Sequence, residues 1–237
     1  SMLELGSGSG PAYGDIVIRD LTVDIQSRGS GWGIVASWCH DVTIDNVHFI
    51  NPSTTMKAAL LVGKFAGGSD GFEANNIRIT NCYFDYSTAA SLSWEYVGVI
   101  NAKNVAFDRC TWKGIASPRP GALIYNTEEA TFTDCFVDHA TITIGGRGAY
   151  SVLGTKFETG YLFADQAQSL YVGGGTSFRL WGTTTSFNNG IRFKGGYKTG
   201  SDPETPWYVP RQTFAPTAVN ATTNEITVTS TSDFQTG

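Results

Sequence analysis

Asp41-Val-Thr-Ile-Asp-Asn-Val-His-Phe49 is the stretch on which the fold turns. Apolar residues stand at Val42 and Ile44, then at Val47 and Phe49. Alternation of this kind means a strand with one buried face. The polar step Asp45-Asn46 shifts the parity by one, so the chain must bend there for both halves to point inward. Asn is among the few residues that bend a chain cheaply through positive φ. The phrase therefore predicts two short strands around a corner.

The phrase recurs along the chain. Upstream it reads Ile16, Ile18, Leu21, Val23 with Asp20 at the corner. Downstream it reads Ile77, Ile79, Cys82, Phe84 with Asn81, then Val105, Phe107, Cys110, Trp112 with Arg109. Ala130, Phe132, Cys135, Val137 follow with Asp134, then Tyr150, Val152, Thr155, Phe157 with Gly154. A degenerate copy has Leu170, Val172 and Phe178 around Gly173-Gly174-Gly175. A repeat of roughly 20–50 residues marks a solenoid or array. One bent pair per step is too little for a four-stranded propeller blade.

Each step also holds a second strand: Gly33–Ala36, Leu60–Val62, Val97–Ile100, Leu123–Tyr125, Ile142–Ile144, Tyr161–Phe163 and Phe178–Leu180. Stacked coils place like positions about 4.8 Å apart. Side chains such as Ile44, Ile79, Phe107, Phe132 and Val152 would then form one inner column. On these repeats the chain resembles the right-handed parallel β-helices of the pectate-lyase-like superfamily, of the bacteriophage tail-spike type. The resemblance spans about residues 14–200. It implies an all-β, single-stranded right-handed parallel β-helix of about seven coils. The fold hosts many functions, so activity has to be argued from the site.

Residues 1–13 read as a linker or lead-in with no capping pattern, and residues 14–200 as the β-helix. Residues 201–237 read as a Pro-rich linker followed by the start of a small β-module. Its alternation through Ile226 and Val228, before Phe234-Gln-Thr-Gly237, resembles the opening strand of modules common in phage tail proteins. That strand ends where the next should begin, and the lead-in lacks a cap, so further chain is expected at both ends.

Charged residues are 16% and Gly is 28 of 237, which fits stacked strands and tight corners rather than helices. The net charge of −5 comes with no basic cluster, so nucleic acid is not an expected partner. It is no obstacle to a neutral or cationic glycan and a mild one to a polyanion. The longest apolar run, Ala58–Gly63, is far short of the roughly 20 residues that span a bilayer. No membrane insertion is expected. Cys82, Cys110 and Cys135 share one repeat position with Leu21 and Val47, which reads as a column of small buried side chains. No Cys or His spacing suits a metal, so neither metal nor cofactor is expected.

Long loops fall in the first four coils, and in β-solenoids insertions mark the working face. The residue after each coil's last inward position points outward: Asp24, Ile50, Asp85, Lys113, Asp138 and Glu158. Asp85 and Asp138 lie two coils apart. The corner column reads Arg19, Asp45, Thr80, Asp108 and Thr133, which sets Asp108 near Asp85 as a second carboxylate. Two close carboxylates can split their pKa values and serve as acid and base. Loop Ser91-Leu-Ser-Trp94-Glu95-Tyr96 holds a carboxylate between aromatics, which raises a carboxyl towards general-acid use. Asp85, Glu95 and Asp108 are the candidate catalytic residues. Arg28, Trp32 and Trp94 are the candidate carbohydrate-binding residues, since sugar rings stack on aromatic faces. Each has a plainer reading as a solvated strand end or a lid on the core. The resemblance to pectate lyases implies Ca²⁺ held by carboxylates, but Asp70-Gly-Phe-Glu73 lacks the alternating oxygen ligands of a calcium loop. His40, His48 and His139 are too scattered to suggest a triad.

The function expected is a phage tail-spike-like protein that recognises, and in its enzymatic form hydrolyses, a bacterial surface polysaccharide. The resemblance implies a homotrimer on a virion tail or in extracellular space, with outward apolar residues such as Ile50 and Phe136 as contacts. Two other classes compete: a secreted monomeric polysaccharide lyase or hydrolase, and a structural or adhesive β-solenoid without catalysis.

Overall fold

The computed structural model describes residues 3–5, 13–25, 32–52, 58–63, 74–88, 96–114, 119–146, 148–165, 167, 169–178, 190–194, 218–220 and 225–227. It is all-β, with no helix among the described residues. Among the described residues every strand pairing but one hairpin is parallel, and the chain forms a parallel β-helix.

Register follows the repeat. Ile18 pairs Ile44, Ile44 pairs Ile79, and Ile79 pairs Phe107. The column continues through Phe132, Val152 and Val172. A second inner column runs Ile34, Leu60, Val97, Ala122, Ile142 and Leu162. The described inward side chains of both columns are buried, apart from half-buried Val172. Stacking brings like against like. Phe49 stacks on Phe84 at 5.1 Å, Phe84 on Trp112 at 5.2 Å, and Phe107 on Phe132 at 4.9 Å.

The corners are where the parity shift placed them. Asp20, Asn46, Asn81, Arg109 and Asp134 all take φ between 50° and 57°, and Gly154 and Gly174 take 57° and 61°. Side chains tie successive corners together. Asn46 donates to Asp20 at 2.8 Å, and Asn81 donates to Asp45 at 2.8 Å. Thr80 donates to the same Asp45 oxygen at 2.6 Å, and Arg109 Nε to Asn81 at 3.0 Å. The hydrogen bonds from Thr80 and Asn81 hold the Asp45 carboxyl below its ordinary range.

The four cysteines are buried and free. Beside the corners, Cys82, Cys110 and Cys135 turn their thiols to the carbonyls of Ile44, Ile79 and Phe107 in the preceding coil, at 3.5, 3.3 and 3.6 Å. Thr176 makes the same bond to Val152 at 3.0 Å. The column is thus a set of weak donors as well as a packing surface. Burial pushes the Cys39 thiol up to about 11 and raises Cys110 as well.

Three readings of the strands change. Leu3–Leu5, expected as lead-in, pairs with Ile34–Ala36 and so belongs to the β-helix. Phe178 pairs with Phe157 as the last residue of a bent pair. The strand paired with Tyr161–Asp165 is Gly190–Lys194, while residues 179 and 180 of the expected second strand lie outside the described residues. A Gly-rich corner lengthened by one residue hid the register. The C-terminal strand Glu225–Thr227 is not the opening one: it pairs with the preceding Ala218–Asn220 in an antiparallel hairpin.

Candidate functional site

The short strands after each corner turn alternate residues outward, and parallel register sets these in two columns. One runs His48, Tyr83, Thr111, Phe136 and Lys156. The other sets Lys113 directly between Asp85 and Asp138. The face is thus built of aromatic, cationic and acidic groups at the feet of the loops that follow these strands.

Its contacts are specific. The His48 and Tyr83 rings meet at 5.7 Å, tilted by 55°. Tyr83 donates to Asp85 at 3.4 Å, and the other Asp85 oxygen accepts from Ser87 N at 2.9 Å and Ser87 Oγ at 2.5 Å. Burial pushes the Tyr83 phenol up, as does the charge of Asp85, while Lys113 opposes both. Asp138 Oδ1 lies 2.6 Å from His139 Nδ1, with both side chains partly exposed. Lys156 lies over the Phe136 ring at 5.5 Å and pairs with Glu158 at 2.8 Å.

Beneath the face, Tyr86 and Tyr96 pack at 5.0 Å, both buried. Burial drives both phenols well above their ordinary range. Tyr96 donates to the Asp85 main-chain carbonyl at 3.3 Å, which anchors the strand end from inside. Gly114 donates its N–H to the Asp138 carbonyl at 2.8 Å. A Cβ at Gly114 would run into the His139 carbonyl oxygen, so only glycine lets the coils close here.

Of the residues expected at the site, Asp85 lies on this face beside Lys113. Asp108 does not join it. Asp108 lies before the corner, in the column with Thr80 and Thr133, and pairs with Arg109 at 2.7 Å. No described contact links Asp108 to Asp85, and the register gives Asp85 the neighbour Lys113 instead. Trp32 is half-buried at the start of Trp32–Ala36, paired with Ala58 and beyond the loop that follows Asp24. Arg28, Trp94 and Glu95 lie outside the described residues. On the other edge Asp70 and Glu73 also fall outside, while Lys103 pairs with Glu128 at 3.0 Å. Tyr83 and His139 were missed, although the period-2 pattern that exposes Asp85 exposes Tyr83 equally. Among the described residues, no grouping of three or more His, Cys, Asp or Glu could hold a metal ion. No helix among them is long and apolar enough to cross a membrane.

No protein-family model matches the chain, and no curated protein matches it. Among solved structures, the chain is similar to QnrB1, a plasmid-mediated fluoroquinolone resistance protein. Identity is 12% over 75% of this chain and 78% of that one, with a TM-score of 0.23. A likeness of that size carries no argument, and the strand pairings carry the fold.

Proposed function

We propose that this is a right-handed β-helix of about seven coils, of the pectate-lyase-like tail-spike type, that recognises a bacterial surface polysaccharide on its post-corner face. The observation that carries the reading is the outward strip His48, Tyr83, Asp85, Lys113, Phe136 and Asp138 in consecutive register. Aromatic rings offer faces for sugar C–H groups, and the carboxylates and ammonium offer partners for hydroxyls. The strip runs along the coil stack, as a linear glycan would.

Cleavage by hydrolysis is the enzymatic form of this reading. Asp85 and Asp138 flank Lys113, which sets them two strand spacings apart, about 9.6 Å. Inverting glycosidases place their carboxyls roughly 6.5–9.5 Å apart, so a modest lean brings the two into range. A homotrimer on a virion tail or in extracellular space belongs to the same proposal, with a glycan as the partner.

The test is a reducing-end and unsaturation assay on a panel of bacterial capsules and O-antigens, with molar mass by light scattering. New reducing ends on one polysaccharide, lost in Asp85→Asn, support hydrolysis. An absorbing double bond would make the protein a lyase instead. A monomer would favour the secreted enzyme. A clean trimer that neither binds nor cleaves any glycan would leave a structural solenoid.

A further inference from the structure

We propose that Asp138 and His139 form a proton-transfer dyad that gives this face a second activity, the general-base hydrolysis of acyl esters, with O-acyl groups on a glycan as the substrate class. Only the sugar half of that substrate rests on the reading above; the dyad does not. Three observations carry it. First, Asp138 Oδ1 lies 2.6 Å from His139 Nδ1. A hydrogen bond donated from Nδ1 fixes the tautomer and leaves the Nε2 lone pair on the opposite edge of the ring. Second, His139 takes φ 51°. Among the described corners that position belongs to Asn, Asp or Gly, with Trp38, Arg109 and His139 as the exceptions. The equivalent corner in an earlier coil is Asn51 at φ 53°. A histidine held there gives up backbone ease for what its ring supplies. Third, Gly114 clears the space for the His139 carbonyl, and the next strand in register brings Lys113 beside Asp138.

The chemistry fits an ester better than a glycosidic bond. Cleaving an acetal needs a proton donor strong enough to protonate its oxygen, whereas an imidazole with a bare nitrogen is a base near neutral pH. Nε2 takes a proton from water as the water oxygen bonds to the ester carbonyl carbon. The carbonyl electron pair moves onto oxygen, where the Lys113 ammonium, the register neighbour of Asp138, is the donor. Collapse restores the C=O and breaks the bond to the sugar oxygen, which takes the proton from Nε2. Water and ester become acid and alcohol, with no other reactant. The charged groups on this strand and the strands flanking it are Asp138, Lys113 on one side, and the Lys156–Glu158 pair on the other.

The test uses the full chain with p-nitrophenyl acetate, so it does not depend on finding the glycan. Turnover is followed across a range of pH. His139→Asn keeps a residue suited to the corner and should lower the rate by about a hundredfold or more, with the melting temperature unchanged. Asp138→Asn should lower it less and shift the pH profile. His40→Gln is the control: His40 also pairs with an aspartate, Asp41, at 2.7 Å, but at a different corner, and its loss should leave the rate as it was. Wild-type turnover no faster than that of His139→Asn overturns the proposal, as does a pH profile that Asp138→Asn leaves in place. Ester turnover with a silent glycan panel would sink the polysaccharide reading and keep the dyad. The reverse result would sink the dyad alone.

Discussion

The αL corners concentrate the cost of this fold in single residues. Asn81 takes φ 53°, and its side chain bridges two coils. A residue with a Cβ and no local polar group costs roughly 1–2 kcal/mol in that conformation. Asn81→Ala should therefore lose about that amount or more by chemical denaturation, and Asn81→Gly clearly less. Equal losses would mean that the hydrogen bonds, not the backbone, matter there. Asp45 supplies a pH signature. Its carboxyl is held below its ordinary value by Thr80 first and then Asn81. A depressed native pKa contributes stability above the unfolded value of about 3.9, and that contribution fades as pH falls through the native one. Asp45→Asn should thus destabilise at pH 7 and become nearly neutral near pH 2, as read from paired denaturation curves. A constant difference across that window would show that the charge is not what Thr80 and Asn81 hold. Trp112 carries the opposite imbalance. Its indole N–H is buried without a partner among the described residues, which costs roughly 1–3 kcal/mol. Trp112→Phe should for that reason cost less than about 1.5 kcal/mol despite the smaller ring.

At the scale of the strand, the inward and outward faces of the post-corner strands behave as different materials. Phe84 lies within a buried stack between Phe49 and Trp112, whereas Phe136 faces outward beneath Lys156. Phe84→Ala should cost about 3–5 kcal/mol, and Phe136→Ala far less while weakening any glycan contact. Comparable losses would mean that Phe136 is covered by another part of the protein. These segments also show what could be read without coordinates. Period-2 alternation with one parity shift was enough to place Ile44, Ile79, Phe107, Phe132 and Val152 in one column, because a slip of one residue would turn every apolar side chain outward. The same pattern failed after Gly173, where three glycines carry no inward or outward signal and the next strand moved to Gly190–Lys194. It also failed for the site. Alternation says that Asp85 and Tyr83 face outward, but it does not say which coil supplies their neighbours across the corner. Asp108 looked close by sequence and stands on the far side of the turn, held by Arg109. His139 looked like one scattered histidine, since its partner Asp138 is adjacent in sequence and implies a pair only once the corner turns the two side chains together.

For the whole molecule, the balance of charge on the proposed recognition face bears on what it would accept. The net charge is −5, and on the post-corner face Asp24, Asp85, Asp138 and Glu158 outnumber Lys113 and Lys156. Lys156 is already engaged with Glu158, and Lys113 stands between two aspartates. Little positive potential is left to draw a polyanion, while the rings of Tyr83 and Phe136 carry no formal charge. A neutral glycan should therefore bind with an affinity that barely changes with salt, because stacking and hydrogen bonds within the face are not screened. A polyanion would be repelled at low salt, where the Debye length is about 30 Å at 0.01 M, and less so at 0.15 M, where it is about 8 Å. Affinity electrophoresis or calorimetry on the glycan retained by the panel, run across that salt range, separates the two. A flat profile agrees with a neutral chain on the aromatic strip. Binding that weakens steeply as salt is added would mean that cations hold the ligand, and the recognition surface would then have to be sought away from the Asp85–Lys113–Asp138 column.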